Sequence, residues 1–293
     1  MNIRSEDFET QLVEFKPLKD FFVGVDSDGC VFDTMGFKHR ECFCPAFINV
    51  MGLQSVSLIA REVWEKVNLY SRTRGVNRFI ALTKAMDVLR EHPAVIKKGV
   101  AIPELDEVKK WISREPKLGA GTLQEELTRN PHPDLLLAMK WSEAVNVAVQ
   151  NISRTVAPFN NVHKTMSRLS GAADTIVVSQ TPYRNIELEW REHGILPYVR
   201  MIAGQESGTK AMHLRLAALG KYPAEHILMI GDAPGDLQAA EECGVLFYPI
   251  IPGKEEDSWK ELLDEGIDRF FSDRFLGEYA ENKTRDFLAT LSQ

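Results

Sequence analysis

Cysteine is scarce in this chain: there are four in 293 residues, Cys30, Cys42, Cys44 and Cys243. That is too few for a disulfide scaffold of this size, and the spacing is not the paired spacing of a zinc site. His39 with Cys42 and Cys44 is a grouping with donors for a metal, set against the plainer reading of these residues as caps and core. Positive charge is also short, with 35 Lys and Arg against 42 Asp and Glu and a net charge of −7. Such a balance argues against a general nucleic-acid binder while leaving room for a local basic pocket. No apolar run reaches the length needed to cross a bilayer, and residues 1–20 carry no signal-peptide core. The expectation is a cytoplasmic protein with neither a membrane nor a nucleic-acid partner. No internal repeat or low-complexity tract is evident.

A hydrophobic content of 44% is ample for a packed core, and the length exceeds the usual single domain. Five short apolar runs read as buried parallel strands: 21–25, 175–178, 199–203, 226–230 and 246–250. Between the later runs lie helix-like stretches. Met212, Leu216 and Leu219 close at Gly220, and Leu237, Ala240 and Cys243 close at Gly244. Alternation of strand and helix at these lengths predicts an α/β fold, a doubly wound, Rossmann-like parallel sheet.

The first strand is separated from the second by a long segment of helical spacing. Ile59, Val63, Val67 and Tyr70 mark one helix, and Phe79, Leu82, Met86 and Leu89 another. Leu137, Trp141, Val145, Ala148 and Ile152 mark a third. Residues 34–156 are therefore expected to form an inserted, all-helical domain, and 1–33 with 157–293 a discontinuous core. The helix over 159–169 returns the chain to that core. The tail beyond Pro252 has helix-like runs at 259–263 and 270–279, read as elements packed on the core.

Polar residues gather where the strands end. The first strand runs into Asp26-Ser-Asp28-Gly29, the second into Ser179-Gln-Thr181, and the fourth into Gly231-Asp232-Ala-Pro-Gly-Asp236. Lys210 stands at the start of the helix after the third. Ligands of open parallel sheets bind outside the carboxyl ends of the strands, so these groups are expected to converge. Asp26 and Asp28 repel each other unless a cation lies between them or one holds a proton, which points to a hard metal and to acid–base work. A hydroxyl, a fixed cation, a divalent metal and an attacking carboxylate together suit a phosphoryl group. Ser179 and Lys210 supply the first two, and Asp232 would join Asp26 around magnesium. Each motif also has a plain reading: Asp-x-Asp-Gly as a surface turn, Ser179 as a strand-end cap, Lys210 as a solvated helix residue, and Asp236 as a helix N-cap.

Taken together and in this order, the motifs resemble those of the haloacid dehalogenase superfamily. Its phosphatases share Asp-x-Asp-Gly-Thr, a strand-end Ser or Thr, a Lys and a Gly-Asp-x-x-x-Asp loop. The resemblance implies Asp26 as nucleophile, Asp28 as general acid and base, and Ser179 and Lys210 as phosphate holders. The implied magnesium ligands are Asp26, Asp28 through its backbone carbonyl, and Asp232, with Asp236 in support. The helical insertion then corresponds to a substrate-selecting cap. Cys30 where the family usually has Thr, and Ala211 where Pro often follows the Lys, depart from the pattern.

The activity so implied is magnesium-dependent hydrolysis of a small phosphorylated metabolite through an aspartyl-phosphate. A sugar phosphomutase using the same residues is the alternative, and a non-enzymatic binding or regulatory relative the other. Substrate contacts are expected from Thr181 and from Arg72 and Arg74, which with Arg78 form a cluster at a break before a helix. Arginine's planar fork suits a second anionic group, the plainer reading being a solvated helix start.

Overall fold

The computed structural model describes residues 5–150 and 156–291, which fall into two compact units, 5–35 with 156–291, and 36–150. The first unit holds five strands: β1 (Phe21–Val25), β2 (Ala173–Val178), β3 (Met201–Ala203), β4 (Ile227–Gly231) and β5 (Leu246–Pro249). All pair in parallel, in the order β3-β2-β1-β4-β5. Helices Val162–Ala172, Tyr183–Glu192, Lys210–Ala217 and Pro234–Cys243 connect successive strands, giving the doubly wound α/β sheet expected from the alternation.

Strand side chains alternate between two cores, which is why the runs read as continuously apolar. Val23, Val25, Val177, Leu228 and Ile230 belong to one cluster. Phe22, Ile176, Val178 and Met229 belong to the other. Each strand lies within two residues of its predicted run. The shifts have local causes. β3 starts only at Met201 because 196–198 forms a 3₁₀ turn and Val199 N–H donates to Leu196 O. Another such turn at 224–226 delays β4 to Ile227.

Two helix predictions need correction. The helix after β3 ends at Ala217, short of Leu219, with Ala218 as its C-cap. The apolar stretch 270–279 is two elements, because helix Ile267–Phe271 stops and Asp273 (φ 57°) and Gly277 (φ 91°) turn the chain before Glu278–Thr290 begins. Both residues sit in the left-handed region, which no helix continues through.

The named elements of the second unit are all helices among its described residues, led by Ser57–Leu69, Arg78–Glu91, Asp106–Arg114, Ala120–Arg129 and Pro133–Gln150. Its core is aromatic. The Phe47 and Trp64 rings lie 4.7 Å apart, Phe79 and Trp111 5.1 Å, and Trp64 and Trp141 5.8 Å. Cys42 and Cys44 are buried free thiols, and the His39 ring lies against Phe43. Among the described residues these three do not gather into a metal-binding group; the two cysteines are buried and His39 is half-buried. Ile152, placed by periodicity at the end of a helix, lies outside the described residues. Among the described residues no helix is long and apolar enough to cross a membrane.

Candidate active site

Strand order decides where charge collects. The chain leaves central β1 toward β2 and β3 and then returns to β4 on the opposite side. The ends of β1 and β4 therefore flank the point where the order reverses, the usual place for a ligand crevice. Asp26 follows β1, and its N–H donates to Ile230 O at 2.9 Å, carrying the ladder one residue further. Asp232 follows β4. Asp26, Asp232 and Asp236 are all buried, and one oxygen of each lies within 4.8 Å of the others.

Lys210 is the cation facing this cluster. It opens helix Lys210–Ala217, whose N-cap Thr209 accepts from Met212 N–H. Its Nζ lies 2.8 Å from Asp26 Oδ2 and 2.5 Å from Asp236 Oδ1. Burial alone would lower the lysine's pKa, but Asp236 and then Asp26 outweigh it and hold the ammonium well above its ordinary value. Burial pushes the Asp236 carboxyl up to about 6; Lys210 opposes this and Asp26 adds to it.

Asp236 is not the helix N-cap. Ala233 is, and Asp236 sits at the third helical position with Oδ2 accepting from Asp232 N–H (3.2 Å) and Ala233 N–H (3.0 Å). Both of its oxygens are thus engaged by protein donors. The Asp28 carboxylate stands outside the trio and accepts a hydrogen bond from Thr34 Oγ1. Ser179, at the end of β2, is buried, and its Oγ accepts from Thr181 N–H at 3.3 Å; its own N–H donates to Ala203 O. Thr181 O accepts from Gln205 N–H, which ties this turn to the segment leading to Lys210.

Periodicity offers no signal for two of these pairings. Thr34 on Asp28 is invisible to a helical or strand repeat, and Asp236 as a direct partner of Lys210 depends on two connections lying side by side. The arginine cluster divides. Arg72 is exposed, whereas Arg74 is buried and donates to Leu69 O at the end of helix Ser57–Leu69. Arg74 therefore ties this segment to the end of a helix of its own unit. Arg78 donates to Asn146 Oδ1 at 2.8 Å and lies over the Phe43 ring.

His213, on the same helix as Lys210, is fully buried. Burial, with a smaller push from Lys210, lowers its pKa to about 4, opposed in part by the backbone of Gly204 and Gly208. The unfolded chain takes up this proton near pH 6.5 and the folded chain only near 4. Folded stability is thus lost as pH falls from 6.5 toward 4, by about 3 kcal/mol at most. The expected result is a flatter decline of Tm between pH 7 and 5 in His213→Leu than in the wild type. Parallel curves would mean that the imidazole charges without cost.

No family model and no curated protein matches this chain. Solved structures do. A haloacid dehalogenase-like family hydrolase from Streptococcus pneumoniae is 12% identical, with 83% of this chain and 91% of that one covered at a TM-score of 0.48. A haloacid dehalogenase-like family hydrolase from Xanthomonas campestris is 12% identical, covering 89% and 97% at 0.47. A HAD-superfamily hydrolase of subfamily IA from Geobacter sulfurreducens is 15% identical, with 80% of this chain and 89% of that one covered at 0.40.

Proposed function

We propose that this chain is a magnesium-dependent phosphomonoester hydrolase of the haloacid dehalogenase type, working on a small phosphorylated molecule through an aspartyl-phosphate. The buried meeting of Asp26, Asp232, Asp236 and Lys210 at the switch point of the sheet carries the reading. One ammonium faces three carboxylates, so two negative charges remain if all three are ionised. Asp26 Oδ1 is buried with no hydrogen-bond partner. An unbalanced, dry oxygen cluster of this kind fits a hard divalent cation. Asp236 is already engaged by Lys210 and two backbone N–H groups, so Asp26 and Asp232 would hold the metal, together with the Asp28 carbonyl. Bound there, magnesium would draw charge from the phosphoryl oxygens and ease the approach of an anionic nucleophile.

Asp26 attacks phosphorus and the ester oxygen leaves with a proton from Asp28, which Thr34 orients. Asp28 then takes a proton from the water that attacks the aspartyl-phosphate, returning Asp26 and releasing phosphate. Ser179 and Lys210 hold the phosphoryl oxygens. The helical unit, inserted in the chain between Asp28 and Ser179, is read as the family's substrate-selecting cap, and the protein as a cytoplasmic enzyme.

Phosphate release from p-nitrophenyl phosphate should require magnesium and vanish on chelation. Asp232→Ala should raise the magnesium concentration for half-maximal rate at least about tenfold, since one of few anionic ligands is gone. Full activity after exhaustive chelation would remove the metal from the mechanism.

A further inference from the structure

The turn that carries Asp26 and Asp28 is held from outside by two tryptophans. Trp190 Nε1, on helix Tyr183–Glu192, donates to Ser27 Oγ at 2.9 Å, between the two aspartates in sequence. Trp259 Nε1, on helix Glu255–Glu261 of the tail, donates to Cys30 O at 2.8 Å. Both indoles are completely buried. Further bonds of the turn come from its own or adjoining backbone. Ser27 O accepts from Val31 and Phe32 N–H, Phe32 O from Gly29 N–H, and Val31 O from Phe159 N–H. Gly29 makes this closure possible at φ 92°.

Buried polar groups need partners, and loss of one donor leaves the acceptor dry. From this geometry we infer that Trp190 and Trp259 are positioning residues of the active-site turn, and that the tail beyond β5 is part of the catalytic apparatus rather than packing alone. Their indole N–H groups bond the turn itself, not the Asp26–Asp232–Asp236 cluster. They act through Ser27 and Cys30, which set the places of Asp26 and Asp28. The kinetic part of this inference rests on the phosphatase reading above; the structural part does not.

Trp190→Phe and Trp259→Phe keep an aromatic ring and delete one N–H each. Trp111→Phe is the control, because Trp111 is equally buried but its Nε1 has no hydrogen-bond partner. Amide hydrogen exchange of the peptide spanning 26–33 is measured in the full chain, alongside kcat and KM on p-nitrophenyl phosphate with magnesium. In both test variants exchange should quicken, and kcat fall, about tenfold with KM little changed, the upper range for one lost hydrogen bond. Trp111→Phe should change neither. Ser27→Ala removes the acceptor with every tryptophan in place, and it keeps the test open if a Phe variant fails to fold. Ser27→Ala combined with Trp190→Phe should lose no more than either alone. Exchange at 26–33 no faster than in Trp111→Phe overturns the inference. Faster exchange in the two Phe variants, with a wild-type protein that shows no phosphatase activity, upholds the positioning and overturns the proposed function instead.

Discussion

Asp26→Asn should lower turnover at least about a thousandfold while the protein remains folded. The amide nearly matches the carboxylate in shape but is a poor nucleophile, so the phosphoryl transfer that opens the proposed cycle is lost. The structure adds a second expectation of opposite sign. Asp26 shares a buried space with Asp232 and Asp236, opposed by the single ammonium of Lys210. Removing one of three crowded negative charges relieves repulsion whenever no metal ion is present. In chelator, the variant should therefore melt at or above the wild-type temperature, as when an active site trades stability for chemistry. Steady-state rates on p-nitrophenyl phosphate and thermal melts with and without magnesium read the two effects separately. Residual turnover within tenfold of wild type would place the nucleophile elsewhere.

Gly231→Ala should be nearly as damaging, for a reason unrelated to backbone freedom. A Cβ built on Gly231 would lie less than 3.0 Å from Cβ, Cγ and Oδ2 of Asp236. Asp236 cannot yield cheaply. It is fully buried, bonded to Lys210 through Oδ1, and bonded to the N–H groups of Asp232 and Ala233 through Oδ2. Displacing it frees the lysine from one of its two carboxylates and leaves two backbone donors dry. We expect kcat to fall about a hundredfold, the scale of losing one preorganised electrostatic group. Overpacking should cost about 1–3 kcal/mol of stability besides. A variant with wild-type rate and Tm would show that the end of β4 has more room than this packing allows.

The sequence by itself determined the strands and the identity of the polar residues at their ends. Strands buried on both faces must be apolar at every position, so each appears as a short continuous run, and the first polar residues after it mark the edge of the sheet. Asp26, Ser179 and Asp232 were legible for that reason, and Lys210 because it opens the helix after β3. Helix ends were less legible. Leu219 and the stretch 270–279 kept an apolar spacing while local turns and left-handed residues ended the helices.

Only the tertiary structure decided which groups meet. Lys210 is 26 residues from Asp236 in the chain, Trp190 is 163 from Ser27, and Trp259 is 229 from Cys30. No periodicity links such positions; the order in which strands pair does. The same holds for Arg74, which looked like part of an exposed basic cluster and instead turns inward to a carbonyl at the end of a helix. Side-chain direction in an irregular segment is set by what the surrounding packing leaves unsatisfied, and that is fixed only once the chain has folded.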